Sequence, residues 1–285
     1  MAVLPAEPPV GTDATAGAAR GRAAFAAARS AGRIAFVPYV VAGYPDPATS
    51  LRAALAAVEA GADLLEIGLP FSDPLADGPT LQRASAAALR AGATFETGCR
   101  LVEAIAARAP TVPLVPMGYA NQLLGAGDPA ERIRRLAEAG ASACIVADLT
   151  PDEGAPFEAA ARSADLALVY LVAPTTPPDR RRAIAARTGG FLYCVSLVGV
   201  TGARARLPAG LRRLVADVAV VSPVPVAVGF GVSRPAHVAA IAEAGADGVV
   251  VASALVDALG SDGRDVAGMA RLAARLAAAT RRPSR

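Results

Sequence analysis

Apolar residues in this chain gather in short unbroken runs rather than in strict alternation: Ile34 to Ala42, Asp63 to Ile67, Val112 to Met117, Ala143 to Ala147, Leu166 to Val172, Phe191 to Val195, Val224 to Val228 and Gly248 to Val251. Runs of this length bounded by Gly, Pro or Asp predict strands buried on both faces, as parallel strands covered by helices are. Between them lie segments with apolar positions at helical spacing, among them Pro47 to Ala60, Asp128 to Ala139 and Pro177 to Arg187. One phrase recurs: Val58-Glu-Ala-Gly-Ala-Asp-Leu-Leu, Leu136-Ala-Glu-Ala-Gly-Ala-Ser-Ala-Cys-Ile-Val and Ile241-Ala-Glu-Ala-Gly-Ala-Asp-Gly-Val-Val-Val. Each reads as the last turn of a helix, a glycine able to turn left-handed past it, and a buried strand.

Strands alternating with helices in this way predict an α/β fold, a single (β/α)8 TIM barrel of the usual size of roughly 250 residues. An open doubly wound sheet is the alternative that a strand count leaves. Extra helices are expected before the first strand, around Arg20 to Ser30, and between strands, around Phe95 to Arg108, with a terminal helix from Val266 to Thr280. Residues 1–20, rich in Ala, Pro, Gly and Thr, read as a flexible tail, and 21–282 as one barrel domain.

Composition narrows the chemistry. With 54% hydrophobic and 19% charged residues the chain can bury a sizeable core. No apolar stretch reaches the roughly 20 residues of a membrane-spanning helix, and the start of the chain lacks the pattern of a secretory signal. Cys99, Cys144 and Cys194 lack metal or redox spacing, so reduced thiols and a cytoplasmic location are expected. All 28 basic residues are arginine, which excludes a Schiff-base lysine and a Gly-x-x-x-x-Gly-Lys phosphate loop. The arginines are spread along helices opposite acidic residues, which argues against nucleic acid. The only histidine, His237, is expected on a helix surface away from any site, and no residue cluster suits a metal.

In a barrel the loops after the strands form one face, and the unusual residues collect there. Glu66 ends the second strand, and Pro70-Phe-Ser-Asp-Pro-Leu-Ala-Asp-Gly-Pro79 follows it, placing Asp77 just before a helix. Tyr119-Ala-Asn121 follows the third strand and Asp148 the fourth. Gly199-Val-Thr-Gly202, Gly229-Phe-Gly231 and Ala252-Ser253 follow the last three. Glycine-loop N–H groups with a serine hydroxyl can hold a phosphate without lysine. Glu66 and Asp77 in the same mouth read as an acid/base pair, although either alone could serve as an ion-pair or capping residue. Proton-transfer chemistry on a small phosphorylated compound remains.

The motifs Pro70 to Pro79, Met117-Gly-Tyr-Ala-Asn121, Pro174-Thr-Thr-Pro177, Gly199-Val-Thr-Gly-Ala203 and Val228-Gly-Phe-Gly231 resemble the tryptophan synthase alpha subunit family, and the likeness runs from about Ala35 to Leu255. The resemblance implies a carbon–carbon lyase that cleaves indole-3-glycerol phosphate to indole and glyceraldehyde 3-phosphate in tryptophan biosynthesis. It implies Glu66 as acid/base, Asp77 as acceptor of the indole N–H, and Tyr193 as a tyrosine near the carboxylates. Tyr39 and Met117 would wall the indole pocket, while Thr201, Gly202, Phe230, Gly231 and Ser253 would lie at the substrate's phosphate end. The family implies no cofactor on this chain and pyridoxal phosphate on a beta subunit in an alpha2beta2 complex. The loop from Pro70 to Gly78 and the segment near Asn121 would face that partner, and the loop after Ser196 would close over substrate.

The chain departs from the family pattern at Val41, Thr150, Leu197-Val198 and Ala252, none of which touches the two carboxylates. A stand-alone lyase releasing free indole and a non-catalytic activating subunit are the alternative readings.

Overall fold

The computed structural model describes residues 12–125, 127–195, 210–229 and 231–282. Every apolar run contains a strand: β1 Ala35–Val41, β2 Leu65–Gly68, β3 Leu114–Gly118, β4 Ala143–Val146, β5 Ala167–Val169, β6 Leu171–Val172, β7 Leu192–Val195, β8 Val226–Gly229 and β9 Gly248–Val251. All their pairings are parallel, in the order β5-β4-β3-β2-β1-β9-β8-β7-β6. β5 and β6 lie at opposite ends of that order, yet only Tyr170 separates them in the chain. The two ends of the sheet are therefore halves of one strand, and an eight-stranded barrel closes there. An open doubly wound sheet is excluded.

The break at Tyr170 has its own partners. Its N–H donates to Thr188 Oγ1 at 3.0 Å, and its carbonyl accepts from Tyr193 N at 3.1 Å, which brings β7 to the closure. Its hydroxyl donates at 2.7 Å to the buried Glu158, which also accepts at 2.6 Å from Arg187 Nε. The two donors offset part of the cost of burying this carboxylate, and losing either would leave it underpaired.

Helices fill the connections. They are α1 Ala16–Ser30, α2 Pro47–Glu59, α3 Pro79–Arg90, α4 Phe95–Ala106, α5 Ala120–Leu124, α6 Pro129–Glu138, α7 Ala155–Ser163, α8 Pro178–Arg187, α9 Leu211–Val221, α10 Pro235–Glu243, α11 Ser253–Asp257 and α12 Val266–Ala278. Local chemistry starts several of them. Asp46 and Asp128 accept from backbone N–H groups in the first turns of α2 and α6, each followed by proline, and Thr94 with Thr97 forms a capping box on α4. The repeated phrase folds as read: Gly61, Gly140 and Gly245 stand at φ +105, +99 and +92 between a helix and the next strand.

Ordered structure begins earlier than residue 20. A single 3-10 turn at Thr12–Ala14 leads into α1, whose N-cap Thr15 accepts from Ala18 N. The expected boundary at residue 20 therefore falls inside α1. Gly17 lies so close to the Ser142 carbonyl that no Cβ fits there. Phe25 lies over Gly248, the first residue of β9, and its ring is 5.5 Å from that of Phe191, just before β7. The helix thus stoppers the end of the barrel where the strands begin, leaving the other end for chemistry.

Cys99, Cys144 and Cys194 are free and buried. Among the described residues no helix is long and apolar enough to cross a membrane, and no group of three His, Cys, Asp or Glu side chains could hold a metal ion.

Candidate active site

Parallel register sets the inner wall. Tyr39 on β1 pairs with Glu66 on β2, and Gly68, two residues on and therefore on the same face, pairs with Met117 on β3. Tyr39, Glu66, Asp77, Met117, Tyr193, Gly231 and Ser253 all line one cavity at the ends of the strands, with about 420 Å³ of space including its open mouth. Thr201, Gly202 and Phe230 lie outside the described residues, as does the loop after Val195. The remaining wall is aliphatic, from Leu81, Val232, Val250 and Ala252. Sequence reasoning did not assign Leu81, Val232 or Val250, because aliphatic residues at element ends look like core.

The two carboxylates differ in environment. Glu66 is 2% exposed, and its Oε2 is buried without a hydrogen-bond partner among the described residues. Burial pushes its pKa up from 4.5 to about 8, and the nearby Asp77 charge adds to the rise. Asp77 is also buried, which raises it from 3.8 to about 6, while a hydrogen bond with Tyr119 pulls the other way. Burial thus favours the protonated form more strongly at Glu66 than at Asp77. Burial, reinforced by both carboxylates, holds the Tyr39 and Tyr193 phenols well above their ordinary range, so both stay neutral.

Asp77 stands on a fixed loop. Its N–H donates to Pro74 O at 3.0 Å, and its carbonyl accepts from Gln82 Nε2 at 3.0 Å, tying it to the first turn of α3. Ala76 N donates to Tyr119 Oη at 3.2 Å, the Phe71 ring stacks on that of Tyr119 at 5.3 Å, and Gln122 Nε2 donates to Pro70 O at 2.8 Å. Asp148 accepts from Ala120 N at 2.7 Å, so the loop after β4 holds the segment carrying Tyr119. Sequence reasoning placed Tyr119 at the mouth but gave it no role. The only signal was an aromatic residue right after a strand. Asp73, by contrast, is exposed and meets Ser72 Oγ.

Two tyrosines of the wall each need a glycine opposite. A Cβ on Gly68 would collide with the hydroxyl of Tyr39, and one on Gly229 with the hydroxyl of Tyr193. Neither glycine has positive φ, so room rather than backbone conformation demands them. Val41 is buried at the end of β1, and Ala252 lies at the cavity edge before α11.

His237 corrects an expectation. It is 5% exposed, not on the surface, and its Nδ1 accepts from Ser233 N at 3.3 Å at the start of α10. It does not line the cavity.

The comparisons agree with this geometry. The family model described as tryptophan synthase alpha chain matches residues 25–281. A tryptophan synthase alpha chain of Roseiflexus sp. (strain RS-1) is 48% identical over 82% of this chain and 89% of its own length. That of Methanothermobacter thermautotrophicus is 45% identical over 81% and 85%. A solved structure of Mycobacterium tuberculosis tryptophan synthase superposes with a TM-score of 0.85 at 40% identity, covering 93% of this chain and 99% of that one. Two buried carboxyls in one cavity and a barrel that matches these relatives almost end to end lead to one conclusion: this chain belongs to the tryptophan synthase alpha chain family, lyases that cleave indole-3-glycerol phosphate.

Proposed function

We propose that Glu66 and Asp77 carry out that cleavage as an acid and a charge-stabilising base. Two carboxyls lining one cavity, Glu66 the more deeply buried and with its Oε2 unpartnered among the described residues, are the observation that carries the reading, and burial raising Glu66 further than Asp77 agrees with it. Protonated Glu66 gives its proton to C3 of the indole ring, leaving positive charge on the ring nitrogen. Ionised Asp77 accepts the N–H and stabilises that charge in a site shielded from water. The Glu66 carboxylate then takes the proton of the side-chain hydroxyl on the carbon attached to C3. That C–C bond breaks, its electron pair returns to the ring, and an aldehyde forms. Indole and glyceraldehyde 3-phosphate leave, and Glu66 is protonated again. The ring nitrogen is the electron sink, so no lysine is needed.

Of the other cavity residues, Tyr39 and Met117 are assigned to the ring, Tyr193 to a neutral hydroxyl beside Glu66, and Gly231 and Ser253 to the phosphate; Thr201, Gly202 and Phe230, outside the described residues, are assigned to that end by the family resemblance alone. Indole passes to a beta subunit that carries pyridoxal phosphate, in a cytoplasmic alpha2beta2 complex. The loop between β2 and α3, which carries Asp77, is assigned to the partner contact by the family resemblance.

The test is indole release from indole-3-glycerol phosphate by the purified chain, alone and with a tryptophan synthase beta subunit. The chain contains no tryptophan, so indole fluorescence reads with little background. Slow release that rises with the beta subunit and vanishes in Glu66→Gln is the expected result. Fast release indifferent to the partner would make the chain a stand-alone lyase, and partner activation that survives Glu66→Gln without cleavage would make it a regulator.

A further inference from the structure

The cavity has two walls that belong to different parts of the chain. Asp77 and Leu81 stand at the start of α3, while Ala252 and Ser253 stand at the start of α11. The two helices are joined by polar contacts set back from the cavity. Thr80 Oγ1 donates to the Asp257 carboxylate, 3.0 Å from Oδ1 and 3.2 Å from Oδ2, and Arg83 Nη2 lies 3.3 Å from the same Oδ1. Thr80 is buried, whereas the Asp257 side chain is about half-exposed.

Local helix chemistry explains neither residue. Asp257 is the last residue of α11, where a carboxylate faces unsatisfied carbonyls and is unfavourable. Thr80 sits just inside α3, where Gly78 is the N-cap and makes no side-chain cap. Their partners are each other and Arg83, whose Nη2 also lies 3.4 Å from Thr80 Oγ1.

The bond lies between two parts of the proposed reaction. Asp77 is tied to the first turn of α3 through Gln82, and Ser253 opens the same short helix that Asp257 ends. The five residues of α11 span only about 7 Å at 1.5 Å per residue. A displacement at Ser253 is therefore carried to Thr80 by one helical turn and one hydrogen bond.

The geometry points to Thr80 and Asp257 as positioning residues that couple the phosphate-holding half of the cavity to the placement of Asp77. Binding of the substrate's phosphate, remote from the bond that breaks, is thereby directed into orienting the carboxylate that stabilises the ring charge. This rests on the proposed cleavage and on the phosphate lying beside Ser253.

The test compares indole-3-glycerol phosphate with its dephosphorylated form, indole-3-glycerol, in the full chain, with steady-state indole release as readout. Thr80→Val keeps the shape and removes the hydroxyl. It is expected to lower kcat for the phosphorylated substrate about tenfold, the worth of one hydrogen bond to a charged group, with little change in KM. For indole-3-glycerol, which has no phosphate to couple, kcat should stay within about twofold of the parent chain. Thr80→Ser should restore the preference. Asp257→Ala, which removes the acceptor at a half-exposed position, should reproduce the loss, and the double variant should be no worse than either single one. Equal losses for both substrates, or none for either, overturn the coupling and leave the cleavage standing. A parent chain that cleaves neither substrate overturns the cleavage and the coupling together.

Discussion

Replacing Glu66 with glutamine tests the proton on which the reaction depends, through stability rather than through rate. The folded chain holds that proton until about pH 8, whereas the unfolded chain releases it near 4.5. Stability from Glu66 is thus fully present below pH 4.5 and is lost as pH rises through 8, because ionising the buried group is disfavoured. Each pH unit in that window costs about 1.4 kcal/mol, so the folded state should lose roughly 4 kcal/mol between pH 5 and pH 9 from this one group. Glu66→Gln removes the titration. A buried amide left partly unpaired adds a pH-independent offset of about 1–3 kcal/mol, so the diagnostic is the slope and not the absolute difference. Asp77 ionises beside a mostly neutral Glu66 in the parent and beside a neutral amide in the variant, so its contribution largely cancels in the comparison. Urea unfolding at half-unit steps from pH 5 to 9 would measure both curves. The glutamine variant should gain steadily on the parent as pH rises, with the gain levelling off above 8. Parallel curves would refute the reasoning, since Glu66 would then ionise alike in folded and unfolded chains.

The rate should report the same pair from the other side. kcat/KM for indole release is expected to rise through pH 6 as Asp77 ionises and to fall through pH 8 as Glu66 loses its proton. Asp77→Asn should lower the upper limb only in part, because burial is the larger cause of the Glu66 shift; an unmoved limb would remove the charge of Asp77 from the account. Gly68→Ala should force the Tyr39 ring aside into the cavity, costing about 1–3 kcal/mol of stability and raising KM. Thermal melting and steady-state kinetics on one preparation would check both effects, and an unchanged KM would mean that Tyr39 does not bound the substrate space.

What the sequence revealed, and what it hid, follows from range. The strands were legible because a parallel strand buried on both faces must be apolar throughout, as β1 and β9 are. Glu66 and Asp77 stood out as candidates because packing does not explain a carboxylate inside an apolar strand or one in the proline- and glycine-rich loop that follows it. The break at Tyr170 was not legible, since tyrosine continues an apolar run and only the distant Thr188 and Glu158 fix the interruption. His237 was misread because α10 is apolar nearly all round, leaving no polar stripe to mark its outer face. Residues 12–20 looked featureless for the very reason that they pack: a small-residue helix has no strong stripe, and Gly17 is small so that α1 can approach the Ser142 carbonyl. Tyr119 and Asp257 act through residues far away in the chain, which periodicity cannot register.

The three buried thiols also make this molecule a quiet background. Each is pushed up to about 12, chiefly by burial, so none offers the thiolate that alkylating reagents need at neutral pH. The chain has neither lysine amines nor tryptophan. A single cysteine introduced at Leu75, the exposed point of the loop that carries Asp77, would take a thiol-directed dye alone. Light from that dye would then follow arrivals at the mouth of the barrel, whether of partner or of substrate, in a protein that otherwise contributes almost no competing signal.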